Sequence, residues 1–481
     1  MHDALLIRSA AGNGLFLPGV ITCIGLALFS PNPTLTTVSI LLAWVLCKLL
    51  WRPGEPPVLL YTMGFQWLQA SILVFYADLQ NLPMKELATR NLEGDNSMII
   101  EATWLTLMGV LVIALGSRLA TLSNFKLEAQ PKMVPNLAPL QVRRLFHASL
   151  WAIALSNALG GLGYLVTGLA EPIRGLLLVH WVIYYLLAYT AFAEQRGYRE
   201  LTMVFAVELA IGFLGFFSDF KTVLIMTLMA ALAAPNALRG NRLRNVVAIV
   251  AITATLGVVW SSIKTDYRNF LNRGTVGQVI LVSPGEQVLE LITLIGELTP
   301  QKLNEGAEGL IYRISFVDFF SGAIGMVPGS IAYEDGKLWL EAIQHVLMPR
   351  LFFPSKPVIN DSDRTTEYSG ITVARGEEGS SIGMGYIAET YIDFGPAGMM
   401  LPLFLWGLAV GWAYRILTRS ARYPPFAYGC AAALISLNAS WVEQSNIKML
   451  GSVIVGFLAL YLIQKYLAEK LLRLLVAPVS N

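Results

Sequence analysis

The chain has 481 residues, of which 55% are apolar and 14% charged, and its mean hydropathy is +0.58. A soluble domain is about one-quarter charged, so this composition excludes a disordered chain and a water-soluble multidomain enzyme, which could not bury so much apolar surface. The 34 basic and 32 acidic side chains give a net charge of +2, which excludes the basic excess of a nucleic-acid-binding protein. The composition predicts an all-α integral membrane protein.

Twelve apolar segments are predicted to cross a bilayer as helices. Crossing about 30 Å of hydrocarbon takes about 20 apolar residues in a helix. In chain order, the segments are 14–30, 35–51, 57–77, 98–122, 145–168, 173–194, 200–217, 220–238, 245–262, 396–417, 424–441 and 447–468. The first segment lacks a small-residue cleavage pattern, so it is predicted to be a retained span and not a cleaved signal.

Lysine and arginine are concentrated in every second loop, after the even-numbered segments. The basic positions are Lys48, Arg52, Arg118, Lys126, Lys132, Arg143, Arg144, Arg196, Arg199, Arg239, Arg242, Arg244, Arg415, Arg419, Arg422, Lys465, Lys470 and Arg473. The intervening loops have few basic residues or balance them with acids such as Asp78 and Glu86. Because cytoplasmic loops carry the excess of lysine and arginine, both termini are predicted to face the cytoplasm.

One connection, between the ninth and tenth segments, is far longer than the others. It divides the chain into transmembrane helices 1–9 (residues 1–262), an extracytoplasmic loop subdomain (263–395) and transmembrane helices 10–12 (396–481). Long structureless loops are uncommon in compact proteins, so we expect this connection to fold.

Three helices are predicted within the long connection. Glu286–Leu298 has the apolar spacing of a short amphipathic helix. Leu310–Val327 and Leu338–Phe353 are apolar but contain charged residues, which favours helices lying on the membrane surface. A re-entrant pair would preserve the same topology.

Two short motifs match catalytic patterns without the context that those patterns need. Residues 379–383 (GSSIG) match G-x-S-x-G but lack an α/β fold and a histidine partner, so Ser380 or Ser381 is predicted to cap the following helix. Residues 218–221 (SDFK) match S-x-x-K but lie between two spans, with no K-T-G or S-D-N partner. The scattered histidines and cysteines predict neither a metal site nor a disulfide framework.

The first candidate site is at the start of the eighth segment, where Asp219 and Lys221 are found. If Ser218 caps this helix, the unpaired amides of its first turn and Lys221 would form an anion site. The structural alternative is a lysine that reaches the membrane interface and pairs with the neighbouring aspartate.

The second candidate site is a run of basic residues in the long connection. It contains Arg350, Lys356, Arg364 and Arg375, followed by Glu377 and Glu378. Arginine is suited to bidentate contact with phosphate, and the prolines at positions 349, 354 and 357 favour a rigid path. The structural alternative is that these are charges of a solvated loop.

The third candidate site is the segment before the tenth span. Tyr386, Glu389 and Asp393 fall on one face of a predicted helix, which Gly395-Pro396 should interrupt. Two carboxylates entering an apolar environment will either pair with arginines or have raised pKa values, and a raised pKa suits a general base for a sugar hydroxyl. The structural alternative makes them partners of Arg364 or Arg375. Glu443 and Lys448 are predicted to flank a polar turn at the membrane rim.

The stretch from Leu347 to Gly398 resembles the polytopic Wzy-type polymerases of bacterial O-antigen and exopolysaccharide repeat units. The segments that carry the resemblance are Pro349-Arg350 with residues 354–357 (PSKP), residues 381–385 (SIGMG), and residues 389–398 (ETYIDFGPAG). The stretch from Leu347 to Gly398 makes up about a tenth of the chain. The remainder is similar only in having many spans and one large loop late in the sequence.

The resemblance implies a GT-C-like glycosyltransferase in the bacterial inner membrane. It implies transfer of an undecaprenyl-pyrophosphate-linked oligosaccharide onto another lipid-linked repeat unit at the periplasmic face, with inversion and without metal, cofactor or nucleotide sugar. Membrane lipids and a chain-length regulator are the implied partners, and no nucleic acid. The implied catalytic residues are Glu389, Arg375 and Arg350. The implied substrate-binding residues are Lys221, Asp219, Lys356, Arg364, Tyr386, Tyr391, Asp393 and Glu378.

Other functions fit parts of the same pattern. An O-antigen ligase has the same donor and fold class but transfers the glycan to lipid A core, and the P-x-K-P element favours the polymerase. A lipid-linked oligosaccharide flippase would place its charges near the bilayer midplane and would need no large outer loop. Most span centres here are uncharged, with Glu208 as an exception. A structural scaffold would leave the outer arginines and glutamates without a role.

Overall fold

The computed structural model describes residues 17–52, 55–92, 94, 96–122, 140–235, 237–275, 277–350, 352–356, 360–373, 381–419 and 423–476. Within these ranges the regular secondary structure is helical, apart from one isolated antiparallel bridge between Leu140 and Val476. We number the helices in chain order.

The helices before the long connection form most of the bundle. They are α1 (Leu17–Ala27), α2 (Pro33–Leu50), α3 (Val58–Leu79), α4 (Met84–Asn91), α5 (Ile99–Leu122), α6 (Val142–Leu165), α7 (Ala170–Glu194), α8 (Tyr198–Phe213), α9 (Phe220–Ala233) and α10 (Gly240–Leu271).

The second half of the chain contains the connection helices and the last spans. The connection contains α11 (Pro284–Gly296), α12 (Pro300–Ile314), α13 (Asp318–Met326), α14 (Lys337–Leu347), α15 (Asp361–Ser369) and α16 (Tyr386–Gly398). It is followed by α17 (Met400–Arg419), α18 (Pro424–Ala431), α19 (Asn446–Tyr466) and α20 (Ala468–Leu475). Helix α18 continues into a π-helical turn over Ala432–Ser436.

Eight described helices are long and apolar enough to cross a membrane, as expected of an α-helical membrane protein. They are α2, α3, α5, α6, α7, α10, α17 and α19. Each of the other four predicted segments contains a helix, but these helices are short: α1 has 11 residues, α8 has 16, α9 has 14 and α18 has 8. At 1.5 Å per residue none of these alone covers about 30 Å, so twelve spans stay a prediction.

The basic loops predicted to share one side of the membrane lie together at one end of the bundle. Arginines there donate to backbone carbonyls of neighbouring loops: Arg144 to Val476, Arg196 to Leu140, and Arg242 to Ala193. We call this the positive-loop end and its opposite the far end. The first residues of α7, α9, α17 and α19 lie at the far end, as does the last turn of α10.

The closest helix packing joins α5 and α17 through small residues. Gly407 and Gly411 of α17 face α5, where a Cβ would come within 2.2 Å of the Ile113 carbonyl oxygen and 2.4 Å of the Ser117 carbonyl oxygen, respectively. The Ser117 hydroxyl donates to the Gly407 carbonyl at 2.9 Å. Such glycines let two backbones approach closely, which is a main source of attraction between helices in lipid.

The Gly407→Ala variant is expected to lose about 1–3 kcal/mol of stability, because its methyl group overpacks the α5–α17 contact. The matched control is Gly64→Ala in α3, where a Cβ meets nothing within 4 Å. Thermal unfolding in detergent measures the difference. Equal melting temperatures for the two variants would contradict this account of the interface.

The prediction of one surface helix over Leu310–Val327 is wrong. Two helices, α12 and α13, occupy this region, because the backbone at Ser315 is extended and separates them. Helix α13 is buried, with Phe320 and Ala323 in the main hydrophobic core, so it cannot lie on the membrane surface. The charged residues of this segment favoured a position at the membrane surface, but the packing of α13 against α5 and α16 buries it.

The other predicted helices of the connection are present with shifted ends. Helix α11 covers most of Glu286–Leu298. Helix α14 stops before Met348, the residue preceding Pro349, because a following proline disfavours helical backbone. Leu340, Ile343 and Leu347 of α14 are exposed, as expected of a helix at the membrane surface.

Helix α16 lies at the centre of the second half, between α13, α14 and α17. Gly395 interrupts it with φ 69° and ψ −177°, just before Pro396. An L side chain rarely adopts this φ, and a Cβ at Gly395 would lie 3.0 Å from the Tyr333 ring. The Gly-Pro break was predicted from the sequence, and it lets α16 and α17 run in different directions.

Candidate active site

Four basic side chains gather at the far end where α14 ends and α15 begins. We call His345, Arg350, Lys356 and Arg364 the Arg350 cluster. The amides of Phe352 and Phe353 both donate to the Pro349 carbonyl, at 3.0 Å each, so the chain turns back after α14. This turn brings the Lys356 ammonium to the His345 carbonyl. Arg364 of α15 pairs with Glu341 of α14.

The basic side chains of the Arg350 cluster lie close enough to repel one another. Burial lowers the pKa of His345 to about 4, with further lowering from Lys356, Arg350 and Arg364. Burial and Arg350 also lower the pKa of Lys356. Like charges held together in this way favour an anionic ligand, because the ligand relieves their repulsion.

Glu389, on α16, lies near the Arg364 side of this cluster. It is 1% exposed, and its Oε2 accepts from the Asn446 backbone amide at 2.7 Å. Burial raises the pKa of Glu389 to about 8, and the Asn446 amide and Arg364 lower it only in part. The carboxyl group therefore caps the first turn of α19 and also has an acid–base pKa near neutrality.

The Asn446 side chain is a second polar group in this buried region. The residue is fully buried, yet neither its amide nitrogen nor its amide oxygen bonds to another group of the described chain. Buried amides are nearly always hydrogen-bonded, so the Asn446 side chain is available to bond a water molecule or a polar ligand.

The start of α19 also contacts α15 through an ion pair. The Lys448 ammonium lies 2.7 Å from Asp361 Oδ2 and 3.0 Å from both the hydroxyl and the carbonyl oxygen of Ser381. The prediction that Ser381 caps the following helix is wrong for this residue, because α16 begins after Gly385 and the Ser381 hydroxyl bonds instead to Lys448. Ser380 lies outside the described residues.

A second basic group surrounds Arg313 of α12, and we call Lys221, Lys264, Arg268 and Arg313 the Arg313 cluster. The Arg313 guanidinium donates to both carboxylate oxygens of Glu443, at 2.9 and 3.5 Å. Lys221, Lys264 and Arg268 are all close enough to Arg313 to be repelled by it. Its residues come from α9, α10 and α12, so only the folded chain brings them together.

Lys221 lies at the start of α9, as the sequence suggested, but its close contact is with an aromatic ring. Its ammonium lies 3.9 Å from the centre of the Trp441 ring. Asp219, and not Ser218, is the residue before the helix, and its carboxylate accepts from the Thr222 hydroxyl at 2.6 Å. The predicted Ser218 cap is therefore wrong.

Three predicted substrate-binding residues are buried and occupied by structural contacts. Asp393 is fully buried, and its two oxygens accept from the Leu338 and Trp339 amides at 3.0 and 2.9 Å, which caps α14. The Tyr386 hydroxyl donates to Gln66 at 2.9 Å, and the Tyr391 hydroxyl donates to the Val327 carbonyl at 3.0 Å. The polar atoms of these three side chains are already bonded within the protein, so we leave all three out of the site.

Two predicted residues, Arg375 and Glu378, lie outside the described residues, as does Glu377. The structure brings the other candidates into two groups: Arg350, Lys356 and Arg364 together, with Glu389 near Arg364, and Lys221 near Asp219. It adds Glu443 and Lys448, which the sequence marked only as a rim turn, and Asp361, Lys264, Arg268 and Arg313. One sequence feature could have indicated this second group. Lys264 and Arg268 are four residues apart, on one face of a helix, just past the ninth predicted span.

In the part of the chain that the structure describes, no group of three or more His, Cys, Asp or Glu side chains could hold a metal ion. A protein family described as "Domain of unknown function (DUF8712)" matches residues 287–474. The match covers the Arg350 cluster, Glu389 and Arg313, and leaves out Lys221, Lys264 and Arg268. No curated protein and no solved structure matches the chain significantly.

Proposed function

We propose that this protein is a membrane-embedded glycosyltransferase that joins undecaprenyl-pyrophosphate-linked oligosaccharide repeat units into a surface polysaccharide. The observation that carries the proposal is the Arg350 cluster, a group of cations near a buried carboxyl group with a pKa of about 8, on which the Arg364 member of the cluster acts. This pairing matches a reaction in which a diphosphate leaves and a hydroxyl group loses its proton. The resemblance of residues 347–398 to repeat-unit polymerases points to the same reaction.

In the proposed reaction, the bond between the anomeric carbon of the donor glycan and its diphosphate breaks. A hydroxyl oxygen of the acceptor glycan forms the new bond to that carbon from the opposite face, which inverts the configuration. The hydroxyl proton passes to the ionised Glu389 carboxylate, and the lipid diphosphate departs with the bonding electron pair. Arg350, Lys356 and Arg364 stabilise the charge that develops on the diphosphate.

The acceptor hydroxyl binds between Glu389 and the Asn446 side chain in this proposal. Glu389 is 1% exposed, so the hydroxyl reaches it when the loop between α18 and α19 moves away from α16. The Arg313–Glu443 pair ties that loop to α12, and the Lys448–Asp361 pair ties the start of α19 to α15. Both pairs involve groups that a phosphate could compete for, which would couple binding to opening.

The proposed location is the bacterial inner membrane, with both termini in the cytoplasm and the site facing the periplasm. Two observations support this orientation. The loops rich in lysine and arginine share the positive-loop end, which the positive-inside rule places in the cytoplasm, and both basic clusters lie at the far end. No nucleotide sugar is available in the periplasm, which favours a lipid-linked donor.

A deletion strain tests the reaction class. We expect its surface glycan to be limited to one repeat unit, and a plasmid copy of the gene to restore long chains. Polymer stranded on the polyprenyl carrier would instead indicate a ligase, and repeat units held in the cytoplasmic leaflet would indicate a flippase. Gel separation of surface glycan, with mass analysis of the extracted lipid-linked units, distinguishes these results.

A further inference from the structure

The Arg313 cluster has the character of an anion site separate from the Arg350 cluster. Lys264 makes no ion pair within the described chain, and the charged groups that act on it are Arg313 and Arg268. Within the described residues Arg268 donates to the Phe216 carbonyl, at 3.2 Å, and its guanidinium lies 5.2 Å from the Phe216 ring centre. Glu443 and Asp219 both act on Lys221, and Glu443 also pairs with Arg313, so two acids offset part of the charge of the four cations. The cations that remain in excess are stabilised when they bind an anion.

A helix with an exposed apolar face packs on the end of α10 that carries Lys264 and Arg268. Helix α11 packs on the end of α10 through Leu294, which contacts the core formed by Ile263, Tyr267 and Leu271. The opposite side of α11 exposes Leu289 and Ile292, which are 67% and 63% exposed. Such a face beside cations is suited to a ligand with an apolar tail and an anionic head.

The Arg350 cluster is built in the same way. The exposed apolar side chains of α14, with Leu347 at 73%, lie next to His345 and Arg350, and Phe352 at 72% follows in the turn. Each basic cluster is therefore paired with an amphipathic helix of the long connection. The two clusters lie on either side of the start of α19, because Glu443 reaches Arg313 and Lys448 reaches Asp361 at the start of α15.

We propose that the Arg313 cluster and the apolar face of α11 form a second lipid-diphosphate site, which holds the acceptor while the Arg350 cluster holds the donor. The assignment of acceptor and donor rests on the proposed function. Two lipid-diphosphate sites are what a polymerase needs, because both of its substrates are attached to the same carrier. A ligase needs one such site, because its acceptor is not linked to that carrier.

The test is the number of undecaprenyl diphosphate molecules bound by the full-length protein in phosphatidylcholine nanodiscs, measured by titration calorimetry. We expect two per chain. Lys264→Gln should weaken one of them at least tenfold and leave the other unchanged, and it removes no ion pair that supports the fold. Arg350→Gln should weaken the other site. The matched control is Lys85→Gln, which changes an exposed lysine of α4 near the same end.

Three results would overturn this inference: one molecule bound per chain, two unaltered sites in Lys264→Gln, or displacement of both molecules by phosphatidylglycerol at equal concentration. The last result would mean that the Arg313 cluster holds membrane-lipid phosphates in general. A single bound molecule, in a protein whose deletion does stop polymerisation, would refute only the second site. Two bound molecules in a protein whose deletion leaves long-chain polymer unchanged would refute the transferase reaction and leave the binding count intact.

Discussion

Replacing Glu389 by glutamine is expected to lower the rate of polymer formation by about 10²–10⁴-fold, the usual contribution of a general base. Glutamine keeps the side-chain shape, and its carbonyl oxygen can still accept from the Asn446 amide, which Glu389 binds at 2.7 Å. The helix cap is therefore preserved while the proton acceptor is lost. Glu86→Gln, at an exposed glutamate of α4, is the matched control and should keep the wild-type rate.

The pH dependence of the rate separates the two roles of Glu389. Its pKa is raised from 4.5 to about 8, so the ionised base is the minor form at pH 7. The wild-type rate should rise about tenfold per pH unit below pH 8 and level off above it. The residual rate of the glutamine variant should not show this rise.

Stability has the opposite pH dependence at this residue. An acid whose pKa is higher in the folded chain (about 8) than in the unfolded chain (about 4.5) holds its proton longer when folded. Its contribution to stability is therefore complete below pH 4.5 and is lost as the pH rises through 8. If Glu389 served only as a cap, Glu389→Gln would change this stability profile and leave the rate per folded molecule unaltered, which would contradict the catalytic role.

Replacing Arg350 by glutamine is expected to lower the rate by about 10²–10³-fold, the cost of removing one charge that stabilises a departing group. The physical reason is that, in the proposed reaction, the leaving diphosphate gains charge as its bond to the anomeric carbon breaks. Lys356→Gln acts on the same charge and should have a similar, non-additive effect. Arg90→Gln is the matched control, because Arg90 of α4 is exposed and pairs only with Glu86 in the described chain. Surface glycan that stays fully long in Arg350→Gln would exclude the Arg350 cluster as the diphosphate site.

The pKa of His345 tests the Arg350 cluster without an activity assay. Its pKa of about 4 is depressed by burial, then by Lys356, Arg350 and Arg364, so Arg350→Gln should raise it toward 6.5. Inorganic diphosphate bound at the cluster should raise it as well, and nuclear magnetic resonance of the imidazole measures both shifts. Because the folded pKa is below that of the unfolded chain, stability is expected to fall as the pH drops from about 6.5 to 4.

Much of the fold follows from local properties of the sequence. The length and hydropathy of each apolar run locate the helices, because a helix in a bilayer must satisfy its own backbone hydrogen bonds over a fixed thickness. The same reasoning finds α11 and α14 and the break at Gly395-Pro396. It fails at Leu310–Val327, where an extended residue at Ser315 divides the run and burial against α5 decides the position of α13.

The sequence by itself determined the helices, the class of membrane protein and the residue types available for chemistry at the far end. Only the tertiary structure decided which of those residues meet. Glu443 and Arg313 are separated by 130 residues and Glu389 and Asn446 by 57, and no helical period connects positions that far apart. The structure also assigned Asp393 to a helix cap that its spacing from Glu389 did not indicate. The physical reason is that hydropathy acts along one helix, whereas the pairing and burial of charges depend on which helices pack against each other.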